Sequence, residues 1–315
     1  MDTRVTTLRR RTLTTDDLDD VTGLLTASDM DVLGHTDFTA GEIEADLRRA
    51  DSEAYGWYSG GTLVGYGWLT RVADTARIDL DAYVLPVHDS RLGVDMLAFL
   101  EERGLTLAAA AGHDEAVFDI GVYRQDEKTR GWMAERGFHS PTSFVRMRID
   151  VDGPLDPAEP RSGITVRRSD GSESDLRLAH RLVEDSFVEH YGHVETTYER
   201  WHERFTERGP DWAEVWLAEV EGEPAGVLVG TPQFEEDENA GYVRTLGTLR
   251  SVRGRGVGKA LLRAYFHAAQ RAGRVAVLLH VDVSNVTGAL GVYESVGMRP
   301  VLTIDAWTKR RGVTP

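Results

Sequence analysis

The chain has 315 residues, of which 41% are hydrophobic, enough to fill the cores of two domains of ordinary size. Its formal net charge is −16 at pH 7, and this acidic excess argues against nucleic acid or an anionic membrane as a partner, because such surfaces attract clustered Lys and Arg. The absence of cysteine excludes disulfides, thiolate metal sites and cysteine nucleophiles.

The composition also predicts where the protein works. No apolar run approaches the roughly 20 residues that a bilayer span requires, and the first residues, MDTRVTTLRRR, lack the apolar stretch of a signal peptide. The histidines show no paired spacing typical of a metal site. We therefore expect a cytoplasmic protein that has no membrane or nucleic acid partner and no metal.

The first half of the chain alternates strand and helix patterns. Thr14 or Thr15 is the predicted N-cap of the first helix, and Gly60-Gly61 is the predicted turn of a hairpin. The predicted order is strand and helix within Thr3–Leu25, hairpin Glu53–Val72, strand Ala76–Pro86, helix Ser90–Gly104, strand Glu115–Tyr123 and helix Glu127–Phe138.

The second half repeats this order after a segment that reads as a linker. Val151–Gly163 contains three prolines and two glycines and has no apolar periodicity. The predicted order is then strand Ile164–Asp170, a helix containing Leu178 and Leu182, helix Thr197–Glu207, hairpin Glu214–Thr231, strand 241–250, helix Gly256–Ala272, strand Val275–Val283, helix 286–296 and strand Val301–Thr308. Such self-similarity indicates a duplicated domain. We expect domains at residues 1–152 and 163–315, joined by a linker at residues 153–162.

Three alternating glycines lie in SVRGRGVGKALL, residues 251–262. A Walker loop is excluded because Arg253 and Ala260 stand where that motif needs Gly and Ser or Thr, and a dinucleotide fingerprint is excluded because Lys259 occupies its third glycine. What remains is Arg-x-x-Gly-x-Gly after a strand and before an amphipathic helix. Backbone amides at such a helix start bind a diphosphate, although a glycine turn that merely starts a helix is the simpler alternative.

This half resembles the GNAT family of acyl-CoA-dependent N-acetyltransferases. Arg253–Gly258 matches the family's [RQ]-x-x-G-x-[GA] pyrophosphate loop, and Leu278–Met298 resembles the segment in which an Asn opens a helix and a Tyr precedes a Gly-aromatic pair by four residues. Met298 replaces the usual Phe. The resemblance covers about residues 163–308, and with the repeat it implies an α/β (α+β) chain of two tandem GNAT-like domains. Each would be a mixed, mostly antiparallel sheet flanked by helices.

The resemblance also implies site residues. Tyr293 matches the tyrosine credited with protonating the CoA thiolate, although a half-buried aromatic packed on the sheet is the plainer interpretation. Asn285 matches a pantetheine-binding residue or is an N-cap, and Thr248 and Leu249 match positions that align the backbone with the acetyl and pantetheine groups. The implied diphosphate site consists of Arg253, Gly254, Arg255, Gly256, Val257, Gly258 and Lys259.

The general base remains open. Candidates are a water relay or one of the carboxylates Glu184, Glu189, Glu235 to Glu238 and Asp282. His190, Tyr191 and His193 lie in the region that faces the acceptor in this family.

The first copy departs from these motifs. Gly93 aligns with Gly256, but Asp95 stands for Gly258, and a carboxylate at a helix start repels a diphosphate. Ser90 replaces Arg253, Gln125 replaces Asn285 and Met133 replaces the tyrosine. We expect residues 1–152 to be a degenerate GNAT-like domain that does not bind the cofactor.

These observations predict an N-acetyltransferase in which a primary amine of a small molecule attacks acetyl-CoA directly in a ternary complex. A non-catalytic acyl-CoA-binding or sensory protein is the alternative from another class. Among enzymes, a protein-amine acetyltransferase or a member of the mycothiol synthase family, which has a similar tandem architecture, fits as well. We expect a monomer or a homodimer.

Overall fold

The computed structural model describes residues 8–72, 74–88, 90–157, 159–188, 195–206, 214–283 and 289–313. It divides into two compact units, one formed by Met1–Phe144 with Thr303–Pro315 and the other by Val145–Leu302. No helix among the described residues is long and apolar enough to cross a membrane.

The first unit contains a sheet flanked by helices. Its elements are β1 Arg9–Thr12, α1 Leu18–Val32, α2 Ala40–Arg48, β2 Ser52–Ser59, β3 Thr62–Arg71, β4 Arg77–Val84, α3 Ser90–Ala110, β5 Glu115–Tyr123, α4 Glu127–Glu135, the start of β6 His139–Asp150 and most of β12 Arg299–Gly312. Neighbouring strands from β1 to β4 are antiparallel, β4 and β5 are parallel, and β12 is antiparallel to β5. The sheet is therefore mixed and mostly antiparallel, as predicted.

The second unit repeats this plan. Its elements are the end of β6, β7 Ile164–Arg168, α5 Glu173–Phe187, α6 Tyr198–Thr206, β8 Val215–Val220, β9 Glu223–Phe234, α7 Glu235–Glu238, β10 Ala240–Thr248, α8 Val257–Arg271, β11 Ala276–Asp282, α9 Ala289–Glu294 and the start of β12. Strands β7 to β10 pair antiparallel in order, whereas β10 and β11 are parallel. The order of elements confirms the predicted duplication.

Local sequence explains several boundaries. Thr14 forms a capping box with Asp17 at the start of the first helical turn. Gly60 and Gly61 have φ of +59° and +93°, which matches the two-residue hairpin turn between β2 and β3. On α8 the predicted apolar face, which includes Leu261, Tyr265 and Phe266, is buried in the core of the second unit.

The units differ from the predicted domains at the end of the chain. Residues Ile304–Gly312 of β12 pair antiparallel with Tyr123–Glu115 of β5, so residues 303–315 belong to the first unit. The first boundary lies after Phe144, inside β6. Sequence patterns predicted the last strand but not its partner, because pairing across such a sequence separation leaves no local signal.

Candidate active site

A cavity of about 390 Å³ lies in the second unit between β10 and β11. The parallel register of these strands ends at the pair Tyr242 and Leu278. Residues Val243–Thr248 and Leu279–Asp282, which follow on each strand, line the cavity together with the glycine loop, the first turn of α8 and Tyr293. Eight of the eleven predicted site residues therefore lie around the opening between the two strands.

The glycine loop forms the floor for an anion. Gly254 and Gly256 have φ of +80° and +98°, a backbone conformation that other residues adopt only with strain. Gly256 is the N-cap of α8, and the next N–H groups have no carbonyl of their own helix to donate to. The helix dipole adds positive potential at the same place, so the loop has the geometry of a phosphate site.

The predicted cations divide into two groups. Arg253 and Lys259 line the cavity, and Arg253 Nη2 also donates to the carbonyl oxygen of Ser186 at 3.1 Å. Arg255 does not line it, because its Nη2 donates to Glu221 Oε1 at 2.9 Å.

The remaining predicted donor-site residues have different positions. Thr248 lines the cavity, whereas Leu249 lies outside the lining and its N–H donates to the Ala225 carbonyl at 3.0 Å. Asn285 lies outside the described residues.

Tyr293, on α9, also lines the cavity. It packs partly buried against the core of the unit, so the structural and the catalytic interpretations are compatible. Burial raises the pKa of its hydroxyl to about 12, and the electrostatic interaction with the neighbouring Tyr242 phenol acts in the same direction. Tyr293 is therefore protonated at neutral pH and can donate a proton.

Three of the four candidate carboxylates whose side chains are described have partners elsewhere. Glu184 accepts from the Thr196 N–H at 3.4 Å and lies 3.7 Å from His180. Glu235 contacts Arg274 at 3.3 Å, and Glu238 accepts from Arg148 at 3.0 Å.

Only one candidate carboxylate among the described residues lines the cavity, and it is Asp282. The side chains of Glu236 and Asp237 are not described. Glu189, His190, Tyr191 and His193 also lie outside the described residues.

The polar cavity residues that were not predicted include His280 and Ser186. His280 Nε2 accepts from Arg146 Nε at 3.1 Å, which leaves the proton of the neutral ring on Nδ1, 3.1 Å from the Tyr242 hydroxyl. Ser186 is 3% exposed, and its hydroxyl has no hydrogen-bond partner in the part of the chain that the structure describes. In LLHVDV, residues 278–283, His280 and Asp282 alternate with apolar residues, and this pattern indicates that both polar side chains share one face of the strand. Nothing in the sequence distinguishes Ser186.

In the first unit, Gly93 lies inside the first turn of α3 and not at its N-cap, and an aromatic side chain packs against it. A β-carbon at Gly93, which aligns with Gly256, would lie 2.4 Å from ring atoms of Trp132. Trp132 is 4% exposed, and the adjacent Met133 is completely buried. The indole of Trp132 therefore leaves no room beside Gly93 for a ligand.

Comparison with known proteins agrees with this geometry. Residues 177–298 match the model of the acetyltransferase (GNAT) family. A mycothiol acetyltransferase of Streptomyces griseus is 28% identical over 251 residues, which cover 75% of this chain and 73% of that protein.

Two solved structures share the fold along the whole chain. A GCN5-related N-acetyltransferase from Sphaerobacter thermophilus has a TM-score of 0.83 at 23% identity and covers 98% of this chain and 96% of its own. A tandem GNAT protein from the clavulanic acid biosynthesis pathway has a TM-score of 0.72 at 17% identity and covers 98% of this chain and 99% of its own.

These matches confirm the predicted family resemblance, the tandem fold and the prediction of an acetyltransferase. Residues 177–298 therefore match the GNAT acetyltransferase family, and the chain is similar to a mycothiol acetyltransferase and shares the fold of tandem GNAT structures.

Proposed function

We propose that the second unit transfers an acetyl group from acetyl-CoA to a primary amine of a small molecule. The observation that carries this proposal is one continuous cavity that reaches from Gly256 and Lys259 at the start of α8 to the hydroxyl-bearing Tyr293. An anion-binding helix start and a protonated acid at two walls of one cavity suit a thioester donor with a diphosphate tail. The orphaned hydroxyl of Ser186 provides a further polar group for such a ligand.

Two side chains that line the cavity would carry out the proton transfers of the reaction. Acetyl-CoA supplies an acyl group activated as a thioester. The amine nitrogen forms a bond to the acetyl carbon and the carbon–sulfur bond breaks, while Tyr293 donates its proton to the departing sulfur. Asp282 is positioned to accept the amine proton, directly or through a water. With no cysteine in the chain to carry the acetyl group, direct attack in a ternary complex is the simplest route.

The acceptor is proposed only as a class. Similarity to a mycothiol acetyltransferase favours an amine of the kind that family acetylates, the cysteinyl amine of a pseudo-disaccharide thiol. The acidic balance of the chain favours basic acceptors, although solubility alone explains such a balance. A panel of small amines should therefore include this thiol, aminoglycosides and polyamines.

A charge placed at position 258 tests donor binding. A β-carbon at Gly258 would make only ordinary contacts, with the nearest atom, Thr248 Cγ2, at 3.7 Å, so a small side chain is tolerated there. We expect Gly258→Asp to weaken acetyl-CoA binding by at least about tenfold more than the isosteric, uncharged Gly258→Asn, because the carboxylate repels the diphosphate. Isothermal titration calorimetry measures both.

A measurement of turnover distinguishes an enzyme from a non-catalytic acyl-CoA-binding or sensory protein. Release of CoA thiol with at least one amine of the panel, in the wild type and at a lower rate in Gly258→Asp, supports the proposal. Tight acetyl-CoA binding without turnover of any amine or protein acceptor would favour the non-catalytic acyl-CoA-binding alternative. If the Asp and Asn variants bound acetyl-CoA equally well, the diphosphate would not lie on this loop.

A further inference from the structure

The segment predicted as a linker is attached along helix α8. This segment, Val151–Gly163, is here called the strap. Gln270 Nε2 donates to the carbonyl oxygens of Val151 and Gly153, each at 2.7 Å. Further along the helix, Arg263 Nη2 donates to Asp156 Oδ2 at 2.9 Å and His267 Nε2 lies 2.7 Å from the Asp156 carbonyl oxygen.

These contacts give the strap a direction. Residues 263, 267 and 270 share one face of α8, and they meet strap residues in reverse order, so the strap runs from the end of the helix towards its start. The last strap residues are anchored as well. The Ile164 N–H donates to the Arg161 carbonyl at 3.0 Å, and the Glu221 N–H donates to the Gly163 carbonyl at 2.8 Å.

The strap therefore brings Arg161 to the glycine loop. A β-carbon at Gly256 would lie 3.7 Å from Arg161 Cδ and 3.9 Å from its Nε, and Arg161 is one of the residues that line the cavity. Its guanidinium has no hydrogen-bond or ion-pair partner among the described residues, and neither has the ammonium of Lys259 on the same wall.

Arg161 is exposed and Lys259 is partly buried, and neither has a partner among the described residues although carboxylates are abundant in a chain of net charge −16. The two arginines of the glycine loop, by contrast, are engaged: Arg255 pairs with Glu221 and Arg253 donates to the Ser186 carbonyl. The buried hydroxyl of Ser186, also without a partner among the described residues, is an independent sign that this cavity receives a polar ligand.

We propose that Arg161 is an additional phosphate-binding residue of the donor site and that the strap positions it. The proposal deepens the proposed function and rests on it, because the ligand is a phosphate group of acetyl-CoA. Acetyl-CoA carries phosphate in its diphosphate and at its ribose 3′ position, and a guanidinium recognises either with charge-assisted hydrogen bonds.

Calorimetric titration of the full chain tests this assignment. We expect Arg161→Gln to raise the Kd of acetyl-CoA by about tenfold and Arg161→Lys, which keeps the charge, by no more than about threefold. Arg271→Gln is the matched control, since Arg271 is exposed at the other end of α8, about 21 Å along the helix, and its loss changes the net charge equally. Acetyl-dephospho-CoA, which lacks the 3′ phosphate, is titrated in parallel.

Each outcome has a stated meaning. An equal loss of affinity for both ligands in Arg161→Gln supports contact with the diphosphate, whereas a loss for acetyl-CoA alone supports contact with the 3′ phosphate. Wild-type affinity in Arg161→Gln, or a loss matched by Arg271→Gln, would overturn the inference and leave the proposed function standing. Failure of the wild type to bind acetyl-CoA would overturn both.

Discussion

Tyr293 illustrates how one residue can satisfy both a structural and a chemical interpretation. Its ring packs against the core while its side chain lines the cavity, and the same burial raises the pKa of the hydroxyl to about 12. The proton that burial retains is the one that the proposed reaction needs for the leaving sulfur. Sequence resemblance predicted the residue, but only the structure relates its burial to its protonation state.

We expect Tyr293→Phe to lower kcat by about 10²-fold to 10³-fold and to change the Kd of acetyl-CoA by less than about threefold, because the ring is kept and only the acid is lost. A raised pKa means that the acid form is present at every pH below about 12 and is lost only above it. The pH profile of the wild type should therefore show no alkaline fall caused by Tyr293 between pH 7 and 10. A fall in that range that disappears in Tyr293→Phe would contradict the assignment.

Asp29 in the first unit is a buried carboxyl whose ionisation opposes folding. It is 2% exposed, its Oδ2 accepts from the Asp37 N–H at 2.8 Å, and burial raises its pKa to about 6. In the unfolded chain an Asp titrates near 3.9, so between these pH values the folded state binds more protons. The contribution of Asp29 to the free energy of unfolding is therefore highest below about pH 4 and falls as the pH rises through about 6.

Asp29→Asn should raise the free energy of unfolding by about 2 kcal/mol at pH 7.5 and by little at pH 4, because the amide keeps an acceptor for the Asp37 N–H and cannot ionise. Urea unfolding at the two pH values measures the difference. Asp31→Asn, at an exposed position of the same helix, is the matched control and should have little effect at either pH. An equal gain at pH 4 and pH 7.5 would show that Asp29 does not titrate as described.

At the level of elements, the expectation that the first copy does not bind the cofactor rests on packing more than on charge. The sequence comparison emphasised Asp95, but Asp95 is exposed and lies 3.5 Å from Arg91. Trp132 of α4, in contrast, lies directly against Gly93 at the start of α3. A substitution can be read from an alignment of the two copies, whereas the volume that an indole fills cannot.

We therefore expect one acetyl-CoA site per chain, and Asp95→Gly should not create a second, because Trp132 still covers Gly93. Calorimetric stoichiometry of the wild type and the variant measures this, and the Gly258→Asp variant controls for the site in the second unit. Two sites per chain in Asp95→Gly would show that charge alone had closed the first copy.

The strap is a segment whose lack of regular structure could be predicted from the sequence but whose contacts with α8 could not. Its prolines and glycines exclude regular helix and strand, and the structure has neither in its described residues. Composition says nothing about a partner, however, and the hydrogen bonds from Gln270 and Arg263 join residues more than 100 positions apart. The glycine loop was predictable because its function requires a local motif, whereas Arg161 and Ser186 reach the cavity from segments without one.

For the molecule as a whole, the order of elements predicted the duplication, but it did not predict that the last strand pairs within the first unit. Residues 303–313 return to the first unit, where β12 pairs with β5 and brings cations to Glu101. Glu101 is completely buried and is bound by Lys309 at 2.6 Å, Arg136 at 2.8 Å and Arg311 at 3.3 Å. Two of its three cationic partners thus come from the end of the chain.

This closure predicts how fragments behave. Residues 1–152, the domain expected from sequence, lack β12 and leave the buried Glu101 with Arg136 alone of these three partners, a deficit of at least about 3 kcal/mol. Residues 1–144 joined to 303–315 by a glycine–serine linker restore the strand and both cations. We expect this fused fragment to unfold cooperatively in urea at a clearly higher midpoint than residues 1–152.

A Glu101→Gln change in each fragment provides the control. This change should raise the urea midpoint of residues 1–152, where the buried carboxylate has one cationic partner. It should lower the midpoint of the fused fragment, where the carboxylate has three cationic partners. Equal midpoints for the two fragments would mean that the first unit folds without β12, and the boundaries expected from sequence would then describe its folding better than the contacts do. A higher midpoint for the fused fragment would mean that the first unit can be completed only after the second has been synthesised, because its last strand is encoded at the end of the chain.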